Sequence, residues 1–169
     1  MSIKKELADE MEITRQNFHH LLDSVPEGFY SHPSDNPAWT IGEVLHHITI
    51  GLRALRFEIW MTRHARGLFQ LGMNSFPSTL FNKINTQFAR RNRNPARQKL
   101  AKAYENGHAG IMSSLTRMSE DDLQKSVIYP DDLVPELAGK VTVERIFRYV
   151  KYHFDIHADQ IQKGLEKTQ

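Results

Sequence analysis

Nine of the 169 residues are histidine, and they do not form a tag-like run. Imidazole titrates near neutrality and offers a nitrogen lone pair, so it is both the commonest transition-metal ligand and a ready proton carrier. His153 and His157 stand four apart in a segment whose apolar residues Val143, Ile146, Phe147, Val150, Phe154, Ile161 and Leu165 recur at helical spacing. At about 100° of turn per residue, His157 falls roughly 40° and His153 roughly 80° from the centre of that stripe. Both rings therefore project to the buried side, one turn apart. They suit either two ligands of one ion or two hydrogen-bonded core histidines. His47 lies on the flank of another apolar stripe, beside Gly51 and Ala54. Those small residues leave room for a ring from a neighbouring helix. His46 points nearly opposite to the same stripe and is expected in solvent. His19, His20 and His108 fall off or at the margin of their stripes, and His32 and His64 lie in or near loops.

Four long amphipathic helices must position these rings. The first covers 2–24, with Leu7, Met11, Phe18 and Leu21 on one face, and ends at Pro26-Glu27-Gly28. A proline-containing loop, 31–38, follows. Thr40 with Glu43 three residues on is a capping-box start for the second helix, which ends before Gly67. The stretch 67–94 is long for a plain connection and is expected to hold a short helix at 78–89, with the basic cluster Arg90, Arg91, Arg93 and Arg97 at its end. Asn94 as cap and Pro95 at the first position open the third helix. Residues 119–140 read as loop, and Ser126–Tyr129 as too short a strand pattern to matter. The fourth helix is capped by Thr142 and runs to about Glu166. Helices of this length without a sheet predict an all-α four-helix bundle, one domain over 1–169.

Composition narrows the partners. Cysteine is absent, which excludes disulfides, thiolate metal sites and cysteine nucleophiles. Apolar residues make up 40%, charged residues 25%, and the net charge is +2. That is an ordinary soluble composition with no global field favouring nucleic acid. No apolar run approaches the roughly 18 residues that a membrane span needs. The start of the chain reads as charged rather than as a targeting segment. A cytoplasmic location is the expectation.

Two motifs resemble a known family. Trp39-Thr40-Ile41-Gly42-Glu43-Val44-Leu45-His46-His47-Ile48 is similar to the opening of helix two in the DinB/YfiT-like superfamily, Trp-[Ser/Thr]-x-x-Glu-[aliphatic]-[aliphatic]-x-His-[aliphatic]. His153-Phe154-Asp155-Ile156-His157-Ala158-Asp159-Gln160-Ile161 resembles that family's last-helix signature, His-x-x-x-His-x-x-Gln-[aliphatic]. The motifs come in the expected order, and the resemblance covers essentially the whole chain. It implies a DinB-type bundle with a long crossover from helix two to helix three. It also implies one divalent metal, typically nickel or zinc, held by His47, His153 and His157; imidazole-only ligation by itself suits iron or copper as well. Some members of the family are transferases or isomerases that use bacillithiol, mycothiol or glutathione, and homodimers are common among them. A thiol S-transferase acting on a small-molecule thiol and an electrophile is the activity so implied. A metal-binding module with a structural, regulatory or stress-response role is the alternative.

Nearby residues have two readings each. Gln160, one turn beyond His157, is either a partner for a ligand or a helix-end polar group. Glu43, one turn before His47, is either a hydrogen-bond acceptor or general base at the site, or an acid favoured by the helix dipole. Trp39 is expected to pack as a staple before the Thr40 cap. The arginine cluster offers a carboxylate or phosphate site or a solvated basic loop. Glu43-x-x-His46 and Glu105-x-x-His108 have di-iron spacing, but His46 and Glu105 point away from the apolar faces, which disfavours an internal carboxylate cage.

Overall fold

In the computed structural model, residues 2–91 and 95–167 are described. Four long helices form the bundle: α1 (Ile3–Ser24), α2 (Ile41–His64), α5 (Arg97–Thr116) and α7 (Val143–Glu166). Between them lie α3 (Arg66–Ser75), α4 (Ser78–Arg90), α6 (Glu120–Gln124), β1 (Ser126–Tyr129) and β2 (Gly139–Thr142). α2 packs against α5 and α7, and α1 packs against the same two helices. α1 and α2 therefore sit on one diagonal, and the α2-to-α5 connection must travel around the bundle through α3 and α4.

The start signals Thr40 and Thr142 act as the sequence predicts, and Ser2 does the same for α1. Ser2, Thr40 and Thr142 each accept a backbone N–H of the first turn. Thr40 and Glu43 close a full capping box. Such caps satisfy donors that would otherwise be orphaned, at about 1 kcal/mol each. The stripes on the four long helices meet in one core, in which Phe18, Leu45, Ile59, Tyr104, Ile111, Phe147 and Ile161 are fully buried. Phe18 stacks flat on Tyr104, with centroids 4.0 Å apart.

Three expectations change. The connection after α2 holds two helices rather than one. Gly67 lies inside α3, and the break between α2 and α3 is at Ala65, whose backbone leaves the helical region (φ −138°, ψ 36°). The third long helix begins at Arg97, with Ala96 at its cap position; Asn94 lies outside the described residues. Ser126–Tyr129 does form a strand. It pairs antiparallel with β2 in the register Ser126↔Thr142 to Tyr129↔Gly139, burying Val127, Tyr129 and Val141.

The loop between α1 and α2 fastens the end of α7 to the start of α2. Ile41 N donates to His32 O, Gly42 N to Tyr30 O, and Ser34 N to Trp39 O. Asp35 N donates to Gln160 O on α7 at 3.1 Å. Gly164 lets α7 come this close, because a Cβ there would lie 2.8 Å from the Ser34 Cα.

Candidate metal centre

His47 on α2 and His153 and His157 on α7 meet at the seam between these helices. His47 Nε2 and His153 Nε2 are 3.0 Å apart. The three ring centroids lie 4.6, 4.7 and 4.9 Å from one another. One nitrogen from each ring fits within a 4.8 Å group that could hold a metal ion. Tetrahedral ligation at about 2.0–2.1 Å per bond places ligand nitrogens about 3.3 Å apart. The group spans that value, so the three rings fit one ion with minor adjustment.

The approach of His153 depends on Gly51. Any Cβ at position 51 would stand 2.7 Å from His153 Cε1. A carbon cannot occupy that distance, so the ring owes its place against α2 to the missing side chain.

Hydrogen bonds fix one ring. His157 Nδ1 donates to Gln160 Oε1 at 2.9 Å. The Gln160 amide donates in turn to Ser34 Oγ at 2.9 Å, and Ser34 Oγ donates to Trp39 O. With its proton on Nδ1, His157 keeps the Nε2 lone pair for a ligand. His47 is 6% exposed, and its Nδ1 is buried without a hydrogen-bond partner among the described residues.

All three rings are held neutral. Burial pushes His153 down to about 3, and neighbouring His157 adds to the effect. Burial first, and then the facing histidines, lowers His47 well below the usual imidazole range. Burial also lowers His157, while its bond to Gln160 works the other way. Neutral imidazoles with converging lone pairs are a nitrogen donor set suited to zinc, nickel, iron or copper.

Other candidates take various places. Glu43 is 3% exposed and accepts Thr40 N at 2.9 Å, the contact of a helix-start acid. Trp39 does more than staple the helix: its ring sits 4.8 Å from His47 and 6.1 Å from His157, roofing the site. His46 is not in free solvent. α4 covers it, and its Nδ1 lies 3.3 Å from Ala89 O. His108 is buried on α5, 3.9 Å from Glu12, and His19 pairs with Glu105 at 2.6 Å, away from the histidine triad. Of the arginines, Arg90 donates to Ala38 O and Arg97 to Val25 O. Arg91 lies over the Phe88 ring and lines the cavity described next; Arg93 lies outside the described residues.

The triad opens into a cavity of about 810 Å³ bounded also by Trp39, Tyr149, Phe81 and Val134. Its wall includes Glu58, a residue the sequence reading passed over. Glu58 accepts a 2.6 Å hydrogen bond from Tyr129 on β1. His47, Gly51, Ala54 and Glu58 follow steps of four, three and four and so share one line of α2. That spacing was the available signal.

The DinB superfamily profile matches residues 10–161, and the chain belongs to that superfamily. Among solved structures, the mycothiol-dependent maleylpyruvate isomerase superposes with a TM-score of 0.72 at 13% identity, covering 96% of this chain and 62% of that one. A variant of the isomerase gives 0.71 at 12%, over the same shares. YfiT from Bacillus subtilis, described as a probable metal-dependent hydrolase with an unusual four-helix bundle topology, gives 0.72 at 10% over 98% of this chain and 87% of its own. These likenesses establish the bundle fold. The chain spans less than two thirds of the isomerase. No curated protein matches it significantly. Among the described residues no helix is long and apolar enough to cross a membrane.

Burial raises Glu58 to about 7, with the Tyr129 hydrogen bond opposing the rise. The folded chain thus holds this proton more tightly than the unfolded chain, whose glutamate titrates near the ordinary value of about 4.3. Stability from this group is full below that value and declines as pH rises toward 7. Glu58→Gln removes the decline. Its melting temperature relative to wild type should climb between pH 5 and pH 8, and a pH-independent difference in thermal melts would contradict the assignment.

Proposed function

We propose that this protein is a metal-dependent enzyme of thiol S-transfer, with His47, His153 and His157 holding one divalent ion, nickel or zinc foremost and iron next. The observation that supports it most is the convergence of three neutral imidazoles, one buried and two half-buried, at the foot of a substrate-sized cavity. A divalent ion with three protein ligands keeps a position for a small molecule and lowers the pKa of a thiol or water bound there toward neutrality.

The chain's own residues supply the rest. Cysteine is absent, so the thiol comes from a small co-substrate. Gln160 holds His157 in the tautomer that presents Nε2 inward. Trp39 covers the ring edges and limits water at the triad. Phe81, Leu133 and Val134 give the cavity an apolar wall for the body of an electrophile. A homodimer and a cytoplasmic location, both expected from the sequence, belong to the same proposal.

His153→Ala and His157→Ala should each abolish metal retention with the helical circular dichroism kept. Gln160→Ala should weaken metal affinity by about 10–100-fold. Gly51→Ala, which displaces the His153 ring, should weaken it at least about tenfold, since donor geometry decides affinity. Wild-type protein at metal about 100-fold above Kd should gain about 2.7 kcal/mol of stability. Elemental analysis and thermal melts check these outcomes together, and equal metal content in wild type and both histidine variants would overturn the ligand set.

A further inference from the structure

Beyond the triad, the cavity continues into an apolar chamber of about 380 Å³. Its walls include Phe57, Phe69, Phe76, Phe81 and Leu133, contributed by α2, α3, α4 and the segment before β2. Glu58 is the one charged residue among the described residues that line it. No lysine or arginine among the described residues forms an ion pair with this carboxyl. Its protein partner is the Tyr129 hydroxyl, which donates to one oxygen.

A carboxylate in apolar surroundings is costly unless a cation meets it. Several other acids of this protein are paired with cations: Asp122 with Arg63 and Lys125, Glu105 with Arg15, Glu144 with Arg148. Glu58 differs, and it sits in a cavity rather than in packed core. Aromatic rings around a lone carboxyl form the setting that receives an organic ammonium, which gains both the ion pair and attraction to the ring faces. Phe57 and Phe76 are partly exposed and present such rings.

Position adds a length. Gly51 touches His153, and Glu58 lies seven residues further along the same line of α2, about 10 Å of helical rise. We propose that Glu58, braced by Tyr129, binds a cationic amine of the substrate, placed about 10 Å from the atom that reacts at the histidine triad. This deepens the reading of the cavity as the substrate site and names a substrate class for it: a molecule with an apolar body and an ammonium group. The rims of the larger cavity carry Arg53, Arg91 and Glu136. A substrate carboxylate would be drawn to those arginines instead, and that is the outcome opposed to this one.

The test is calorimetric binding of three probes of like shape, naphthylmethylamine, naphthylmethanol and naphthoate, to the wild-type protein, Glu58→Gln and His153→Ala. The amine should bind wild type at least about tenfold more tightly than the alcohol, the scale of one charge-assisted contact. Glu58→Gln should erase that preference and leave alcohol binding within about twofold, which also shows the cavity intact. The preference should persist in His153→Ala. Equal binding of amine and alcohol, tightest binding of naphthoate, a preference retained in Glu58→Gln, or no binding of any probe would overturn the proposal. Loss of the metal reading is seen separately, as metal content equal in wild type and His153→Ala, and leaves the amine preference standing.

Discussion

Three imidazoles crowded into the seam between two helices, one of them buried and two half-buried, are the constraint on which this structure turns. Rings whose centroids are 4.6–4.9 Å apart cannot all carry protons. Two charges at that distance repel by about 3–4 kcal/mol even at an effective dielectric of about 20. Desolvation penalises the first proton as well. Neutrality wins on both counts, and the result is a set of lone pairs aimed at one another. Two facing ring nitrogens 3.0 Å apart are satisfied by a shared proton or by a cation. A cation serves all three rings; a proton serves two.

The scaffold spends its specific features on keeping that seam closed. Gly51 admits His153 to the surface of α2, and Gly164 admits the loop at Ser34 to the surface of α7. The loop's hydrogen bonds to Gln160 make the end of α7 and the start of α2 a single unit. The chain Trp39 O, Ser34 Oγ, Gln160 amide and His157 Nδ1 links the capping region of α2 to the orientation of a ring on α7. Local start signals thus become the geometry of the site. The same line of α2 continues from His47 through Gly51 and Ala54 to Glu58, so one helix face carries both ends of the cavity.

Much of this was legible in the sequence because helical periodicity is local. The stripes of α1, α2, α5 and α7 identify the bundle, and the caps Thr40 and Thr142 fix two of its starts. The wheel turned His153 and His157 inward and put His47 beside a glycine. Features made by distant pairing were not legible. β1 gains its partner only from residues 139–142, and a four-residue strand has no periodicity to betray it. Tyr129 reaches Glu58 through that hairpin, a contact that the spacing of residues along α2 cannot show. His46 looked solvated because the wheel of α2 cannot know that α4 will fold over it. Trp39 read as a staple because its contacts with His157 cross from the loop to another helix. The helix α3 was hidden by Gly67, a residue that ends many helices and here lies near the start of one.

X-ray absorption at the metal edge of the loaded wild-type protein tests the central claim most directly. Three imidazole nitrogens at about 2.0–2.1 Å, with a lighter ligand that exchanges for sulfur when a small thiol is added, is the spectrum this account requires for zinc. A shell with fewer than three imidazoles, or a fully protein-bound shell that a thiol leaves unchanged, would contradict it.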